Sequence, residues 1–401
     1  MFESIDPAPL DPILGLNEAF LSDPRANKIN LTVGQYQDSE GTTPILESVA
    51  RAQKKRLEIE STKAYLGIAG LPEYAQCVQE LIFGPDHEVI AQGRAATSQA
   101  PGGTGALRVA ADFAKSASPT ARIWLSRPTW ANHANVFTAA GLETVEYPYF
   151  DAQTNALGLD AMLTGLKGIR AGDLVLLHGC CHNPTGIDPS PDDWDQIANA
   201  IYDRDGLPLV DFAYQGFSES VDGDAAGLRS LCRPGKELIV CSSFSKNFGL
   251  YRERAGALTV VASDAQTVQT VQSRIKQCIR ANYSNPPAHG AAIVSTVLQD
   301  AALKSLWESE VQTMRERIHQ MRCLFVETLA SHGVTRDFSF ITGQRGMFSF
   351  SGLSPQQVDQ LREKHAIYIV RSGRINVAGM SPTNMNPLCS AIAQVLAADP
   401  S

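Results

Sequence analysis

Between residues 100 and 260 the chain alternates short apolar runs with helix-like stretches, which restricts the fold to a mostly parallel α/β sheet covered by helices. Ile123-Trp124-Leu125-Ser126, Leu174 to His178, Leu207 to Asp211 and Leu238 to Ser242 each run apolar and then break into polar or Pro/Gly-rich sequence. In an open α/β sheet that edge is where ligands bind. With 401 residues, 44% of them hydrophobic, the chain is long enough for two or three domains. Apolar residues at Trp307, Val311, Met314, Ile318, Met321, Phe325 and Leu329 form a helical stripe. A helix of that length spans roughly 35 Å, enough to leave one domain and enter another. After Gly333 the pattern predicts strands at Met347 to Phe350 and Ile367 to Val370, then a helix from Pro382 to Ala397.

The charge of −8 arises from 34 basic and 42 acidic residues spread without runs. That distribution argues against a nucleic-acid partner or a polybasic membrane patch. The N-terminus lacks a basic region followed by an apolar run, and no stretch approaches about 18 uninterrupted apolar residues, so a cytoplasmic protein is expected. The eight cysteines include no C-x-x-C pair, and a disulfide between adjacent Cys180 and Cys181 would be strained. Reduced thiols are expected. His178, Cys180, Cys181 and His182 are only superficially metal-like, because zinc sites usually separate paired ligands by two or more residues; no metal is expected.

The segment Ser243-Phe244-Ser245-Lys246 places a lysine between the strand-like runs Leu238 to Cys241 and Ala255 to Val261, eight residues before Arg254. Partial burial and nearby positive charge keep such an amine neutral part of the time, as a Schiff-base lysine requires. The spacing points to pyridoxal phosphate. Arg254 offers a planar fork and Ser243 a hydroxyl to a phosphate dianion. Pro101-Gly102-Gly103-Thr104-Gly105 precedes a helix-like run whose first amides are unpaired and suited to the same phosphate. Asp211, at a strand end, needs a cationic partner, which a pyridinium nitrogen would supply. Tyr214 and Asn183 are donors for the ring oxygen, Trp130 a stacking partner, and His133 a support for Asp211. Taken singly, each has a plainer reading: a solvated lysine, a helix cap, a turn at Asn183-Pro184, a core tryptophan. S-x-x-K also occurs in serine acyl-enzymes, although no K-T-G partner motif is present. Arg280 and Arg374 are the candidates for holding two carboxylates.

Together these segments resemble the class I aminotransferases of fold type I, specifically the bacterial aspartate and aromatic aminotransferase branch. The similarity runs from Asp11-Pro12-Ile13-Leu14-Gly15-Leu16 through Ala64 to Ile68, the glycine turn, Cys180 to Gly186, Asp211 to Phe217 and the lysine segment, ending near Arg374. The resemblance implies the PLP-dependent transferase fold, with an N-terminal arm at 1–14, a small domain from 15–47 and 313–401, and a large domain at 48–312. It implies Lys246 as the Schiff-base lysine and Asp211 on the pyridine nitrogen, with Tyr214 and Asn183 on the phenolic oxygen. Gly103, Thr104, Ser243 and Arg254 would bind phosphate, and Trp130 would stack on the ring. Arg374 would grip the substrate α-carboxylate, and Gly34 would approach the substrate through its backbone. Tyr65 and Arg280 would reach the other subunit's site, which implies a homodimer with shared sites.

Arg280 stands where the family pairs with a side-chain carboxylate, so ping-pong transfer between L-aspartate and 2-oxoglutarate is expected. Thr43, Thr104 and Asn285 also look like the aspartate-specific members. Gln35, Gln37 and Ala64 instead stand where those members commonly have valine, lysine and asparagine, which keeps broad aromatic specificity as the alternative.

Overall fold

A computed structural model describes residues 2–7 and 13–398; Asp11, Pro12 and part of the expected arm at 1–14 lie outside the described residues. The chain forms two compact units, Thr43–Glu316 and Met1–Thr42 with Arg317–Ser401.

The 43–316 unit is organised by a seven-stranded sheet. Its strands are β1 (Ala95–Pro101), β2 (Arg122–Arg127), β3 (Glu143–Pro148), β4 (Leu174–His178), β5 (Leu207–Phe212), β6 (Leu238–Ser243) and β7 (Ala255–Val261). They lie in the order β1-β7-β6-β5-β4-β2-β3. β7 runs antiparallel to both neighbours, and every other pair is parallel. Strands β4, β6 and β7 are buried along their whole length, as expected when helices cover both faces of a sheet. On one face, Leu174, Leu176, Leu209, Ile239, Cys241 and Leu258 pack with Ala106, Ala110 and Ala114 of helix α1 (Gly102–Ala117). The small alanines let the helix backbone approach the sheet, and each enclosed leucine contributes about 1.5–3 kcal/mol.

One topological consequence sets the site. Because β7 opposes β1 and β6, the ends of β1 and β6 and the start of β7 share one edge. Helix α1 starts at Gly102, so the glycines form its first turn where the sequence pattern suggested a turn ahead of it.

The predicted stripe forms helix α2 (Ala301–Ser331), and the boundary between the units falls inside it. All seven stripe residues are buried. In the other unit, Ile29–Asn30 pairs parallel with Ile367–Tyr368, and Phe348–Phe350 pairs antiparallel with Arg374–Asn376. The strand expected to reach Val370 stops at Tyr368. Val370 instead enters a turn closed by the Gly373 amide at 2.8 Å, with Gly373 in the left-handed region. Ser354 caps helix α3 (Pro355–His365) through a capping box, and helix α4 (Pro382–Ala398) follows. Among the described residues no helix is long and apolar enough to cross a membrane.

Candidate active site

Lys246 lies on the connection between β6 and β7, where its chain neighbours are anchored and its own side chain is half-buried. Phe244 and Phe248 are both buried, and Trp307 stacks on Phe248 with centroids 4.5 Å apart. The Trp307 indole donates to the Asn247 carbonyl at 2.7 Å, and the Asn247 amide donates to the Gln215 carbonyl at 3.1 Å. The loop is thereby fixed on both sides of the lysine. Its Nζ lies 4.7 Å from the centroid of the Tyr214 ring. The Asn183 amide is 3.5 Å from the Tyr214 hydroxyl, so three predicted residues from separate loops converge.

The shared strand edge brings the expected phosphate ligands together. Arg254 has φ +56, an uncommon conformation for a non-glycine residue, and its guanidinium packs against Gly102. A Cβ on Gly102 would collide with that guanidinium, and one on Gly103 would lie 3.0 Å from the Ser243 side chain. A Cβ on Gly256 would meet the Gly102 backbone. Glycine at these positions lets the start of α1 approach the β6–β7 connection. Ser245, not singled out from the sequence, belongs here too: its hydroxyl is 3.2 Å from Ser243 Oγ and accepts from Arg254 at 3.4 Å. Helix-start amides, two hydroxyls and a guanidinium make a donor set suited to a dianion.

On β5, Asp211 is buried and accepts from His133 Nε2 at 3.0 Å, while His133 Nδ1 meets Thr129 Oγ1 at 2.8 Å. Burial pushes the Asp211 carboxyl up, but the His133 hydrogen bond and the nearby His178 and Lys246 outweigh it and hold it below its usual range. His178 stands opposite Asp211 in the β4–β5 register. Burial, then His133, pushes its pKa down to about 3, and among the described residues neither ring nitrogen has a hydrogen-bond partner. His182 lies 4.3 Å from His178 between ring centroids and is driven well below the ordinary range by burial and by His178. The ligand atoms of His133, His178 and Asp211 lie within 4.8 Å of one another, as do those of Cys180, Cys181 and Asp224. The second grouping includes two residues of the metal-like sequence cluster, while Asp224 accepts four main-chain amides. Trp130 is half-buried and meets His133 edge-on at 5.1 Å.

Thr104 lies in the first turn of α1. Tyr65 is 94% exposed, and Arg280 is exposed at the end of Ala265–Asn282, hydrogen-bonded to Ser284. Asn285 donates to the Leu66 carbonyl at 2.8 Å, tying the Tyr65 loop to the turn after Arg280. In the 1–42/317–401 unit, Arg374 is buried and donates to the Thr32 carbonyl at 2.5 Å, two residues before Gly34.

A lysine on a fixed loop, a dianion cup and a buried carboxylate on one mostly parallel sheet define a class of enzyme. The family model described as aminotransferase class I and II matches residues 26–392, and the chain belongs to that family. It is 56% identical over 396 residues to the aspartate aminotransferase of Salmonella typhi, covering 99% of this chain and 100% of that one. It is 48% identical over 396 residues to the aromatic-amino-acid aminotransferase of Pseudomonas aeruginosa, covering 99% of each. Among solved structures, the aromatic-amino-acid aminotransferase of Burkholderia pseudomallei, covalently bound to pyridoxal phosphate, superposes with a TM-score of 0.96. That chain is 47% identical, with 99% of each chain covered. The fold-type expectation therefore holds, and the protein is an aminotransferase.

Proposed function

We propose that this chain is an aspartate aminotransferase that binds pyridoxal phosphate and moves an amino group between L-aspartate and 2-oxoglutarate, giving oxaloacetate and L-glutamate. The observation that carries the reading is the convergence of Lys246, the Gly102–Ser243–Arg254 cup and the Asp211–His133 pair on one sheet. The donor set fits the cofactor: the cup offers oxygen-directed donors, and the buried Asp211 calls for a cation. Gly103, Thr104, Ser243 and Arg254 would hold its phosphate, and Trp130 its ring face. When bound, the cofactor supplies an electron sink for negative charge developing at the amino acid Cα. Asp211 would hold a proton on the ring nitrogen, and Asn183 and Tyr214 would donate to the ring oxygen. Lys246 would tether the cofactor, and its amine would serve as the base that takes the proton from the substrate Cα. Arg374 holds the α-carboxylate, with the Gly34 backbone against the substrate.

We assign Tyr65 and Arg280 to the site of a second copy, making the enzyme a homodimer; their exposure supports this. The two compact units serve as the large and small domains, and the protein works in the cytoplasm. Gln35, Gln37 and Ala64 keep open the second reading, a broad aromatic aminotransferase.

The test is the visible spectrum of purified protein reconstituted with pyridoxal phosphate. Aspartate should bleach the cofactor band and 2-oxoglutarate should restore it. A response to phenylalanine or tyrosine alone would replace the reading with the aromatic one; failure to reconstitute any band would end both. Arg280→Ala should lower kcat/KM for aspartate by roughly 10²–10³-fold, the cost of stripping a partner from a desolvated charge, and change phenylalanine far less.

A further inference from the structure

Phe348 joins three features of the 1–42/317–401 unit. The guanidinium carbon of Arg374 lies 4.3 Å from its ring centroid. Phe350 is the direct cross-strand partner of Arg374, so Phe348 is the diagonal neighbour on the same face, within reach of a long side chain. The ring's far end faces Gly34: a Cβ there would lie 2.6 Å from Phe348 Cζ. A single ring thus supports Arg374 on its face and the Gly34 backbone at its edge.

Phe348 is itself held by Arg322, a buried arginine on α2. The Arg322 guanidinium donates to the carbonyls of Phe348 at 2.8 Å, Gly346 at 2.7 Å, Arg345 at 3.2 Å and Ile341 at 3.4 Å, and to the Ser349 hydroxyl. Those donors pin the turn leading into Phe348–Phe350. A two-pronged grip on a carboxylate requires the guanidinium plane to be held before the ligand arrives. The Thr32 carbonyl fixes one edge of Arg374, and the Phe348 face fixes its plane through cation–π attraction.

We propose that Phe348, braced by Arg322, is a positioning residue that sets the plane of Arg374 for recognition of the substrate α-carboxylate. The inference rests on the reading that Arg374 binds that carboxylate. Every amino acid and oxo acid substrate carries an α-carboxylate, so the device strengthens binding of all of them without choosing among them.

The experiment is steady-state kinetics of the reconstituted enzyme with aspartate, phenylalanine and 2-oxoglutarate. Phe348→Leu removes the π face while keeping most of the bulk; Phe348→Tyr is avoided because its hydroxyl would point at Gly34. The expected result is a KM about 10-fold higher for all three substrates, a smaller change in kcat and an unchanged cofactor spectrum. Arg374→Lys, run alongside, should raise the same three KM values further, and the double variant should fall short of the product of the two single effects. If Arg374→Lys raises KM and Phe348→Leu does not, or if Phe348→Leu changes kcat alone, the proposal is overturned. If Arg374→Lys leaves every KM unchanged, the reading of Arg374 itself fails. Phe348→Met replaces the leucine variant should that one not fold, with the same criteria. Arg322→Lys, which breaks most of the carbonyl contacts while keeping the charge, should reproduce the Phe348→Leu pattern at several-fold; an unchanged KM in a folded Arg322→Lys enzyme removes Arg322 from the device.

Discussion

The two ends of the proposed cofactor site are built on opposite principles. At the Asp211 end a single carboxylate is buried in the middle of the sheet and braced by a buried histidine, so what matters is the charge that the interior retains. At the phosphate end, donors from three segments meet at the sheet edge, and the fit depends on atoms being absent, at Gly102, Gly103 and Gly256. The first end should therefore be sensitive to a lost charge and the second to an added methyl group.

The largest expected effect tests the first half of that contrast. Asp211→Ala should lower kcat by about 10³-fold, in line with removal of a preorganised charge, while pyridoxal phosphate remains bound through its phosphate. Retained kcat at saturating cofactor together with weakened cofactor affinity would reverse the roles of the two ends. Next comes Gly102→Ala, whose methyl collides with Arg254 and whose φ of +73 disfavours alanine. Cofactor affinity should fall by about 10²-fold by equilibrium dialysis, with kcat at saturating cofactor within several-fold of wild type.

A third test uses pH. The folded pKa of His178 is depressed to about 3 and that of His182 lies well below normal, so in acid the unfolded chain binds protons that the native state refuses. The stability present above about pH 6.5 is lost as pH falls toward the folded values, at up to roughly 1.4 kcal/mol per pH unit for each histidine. His178→Asn should flatten the fall in urea midpoint between pH 7 and pH 5, and a slope equal to wild type would show that His178 titrates normally. The smallest effect is Ser245→Ala, which removes one hydroxyl from the phosphate cup. It should weaken cofactor binding by about 5- to 10-fold, since the remaining donors stay in place.

Much of this was legible in advance where a pattern repeats over many residues. The strands Leu174–His178 and Ala255–Val261 occur with the expected bounds, and the seven-residue stripe of α2 is buried throughout. Lys246, Tyr214 and Asn183 were recoverable as motifs, and the structure brings them together. Ser245 was missed because its position in the cup follows from the left-handed turn at Arg254, which arginine rarely adopts and no spacing signals. Arg322 was missed for another reason. It lies four residues after Ile318 and three before Phe325, so helical spacing did put it on the apolar face, but its charge suggested solvent. The expectation that Tyr65 and Arg280 reach a second copy rests on resemblance alone, since an exposed side chain on one chain carries no mark of what it will meet.

Trp307 offers a further use of the lysine loop. Its indole is fully buried, stacked on Phe248 and hydrogen-bonded to the carbonyl of the residue next to Lys246. It is a native fluorophore wired to the lysine loop. Subtracting the emission of a Trp307→Phe variant isolates that signal, and a red shift on removing the cofactor would record loosening of the loop without any added label.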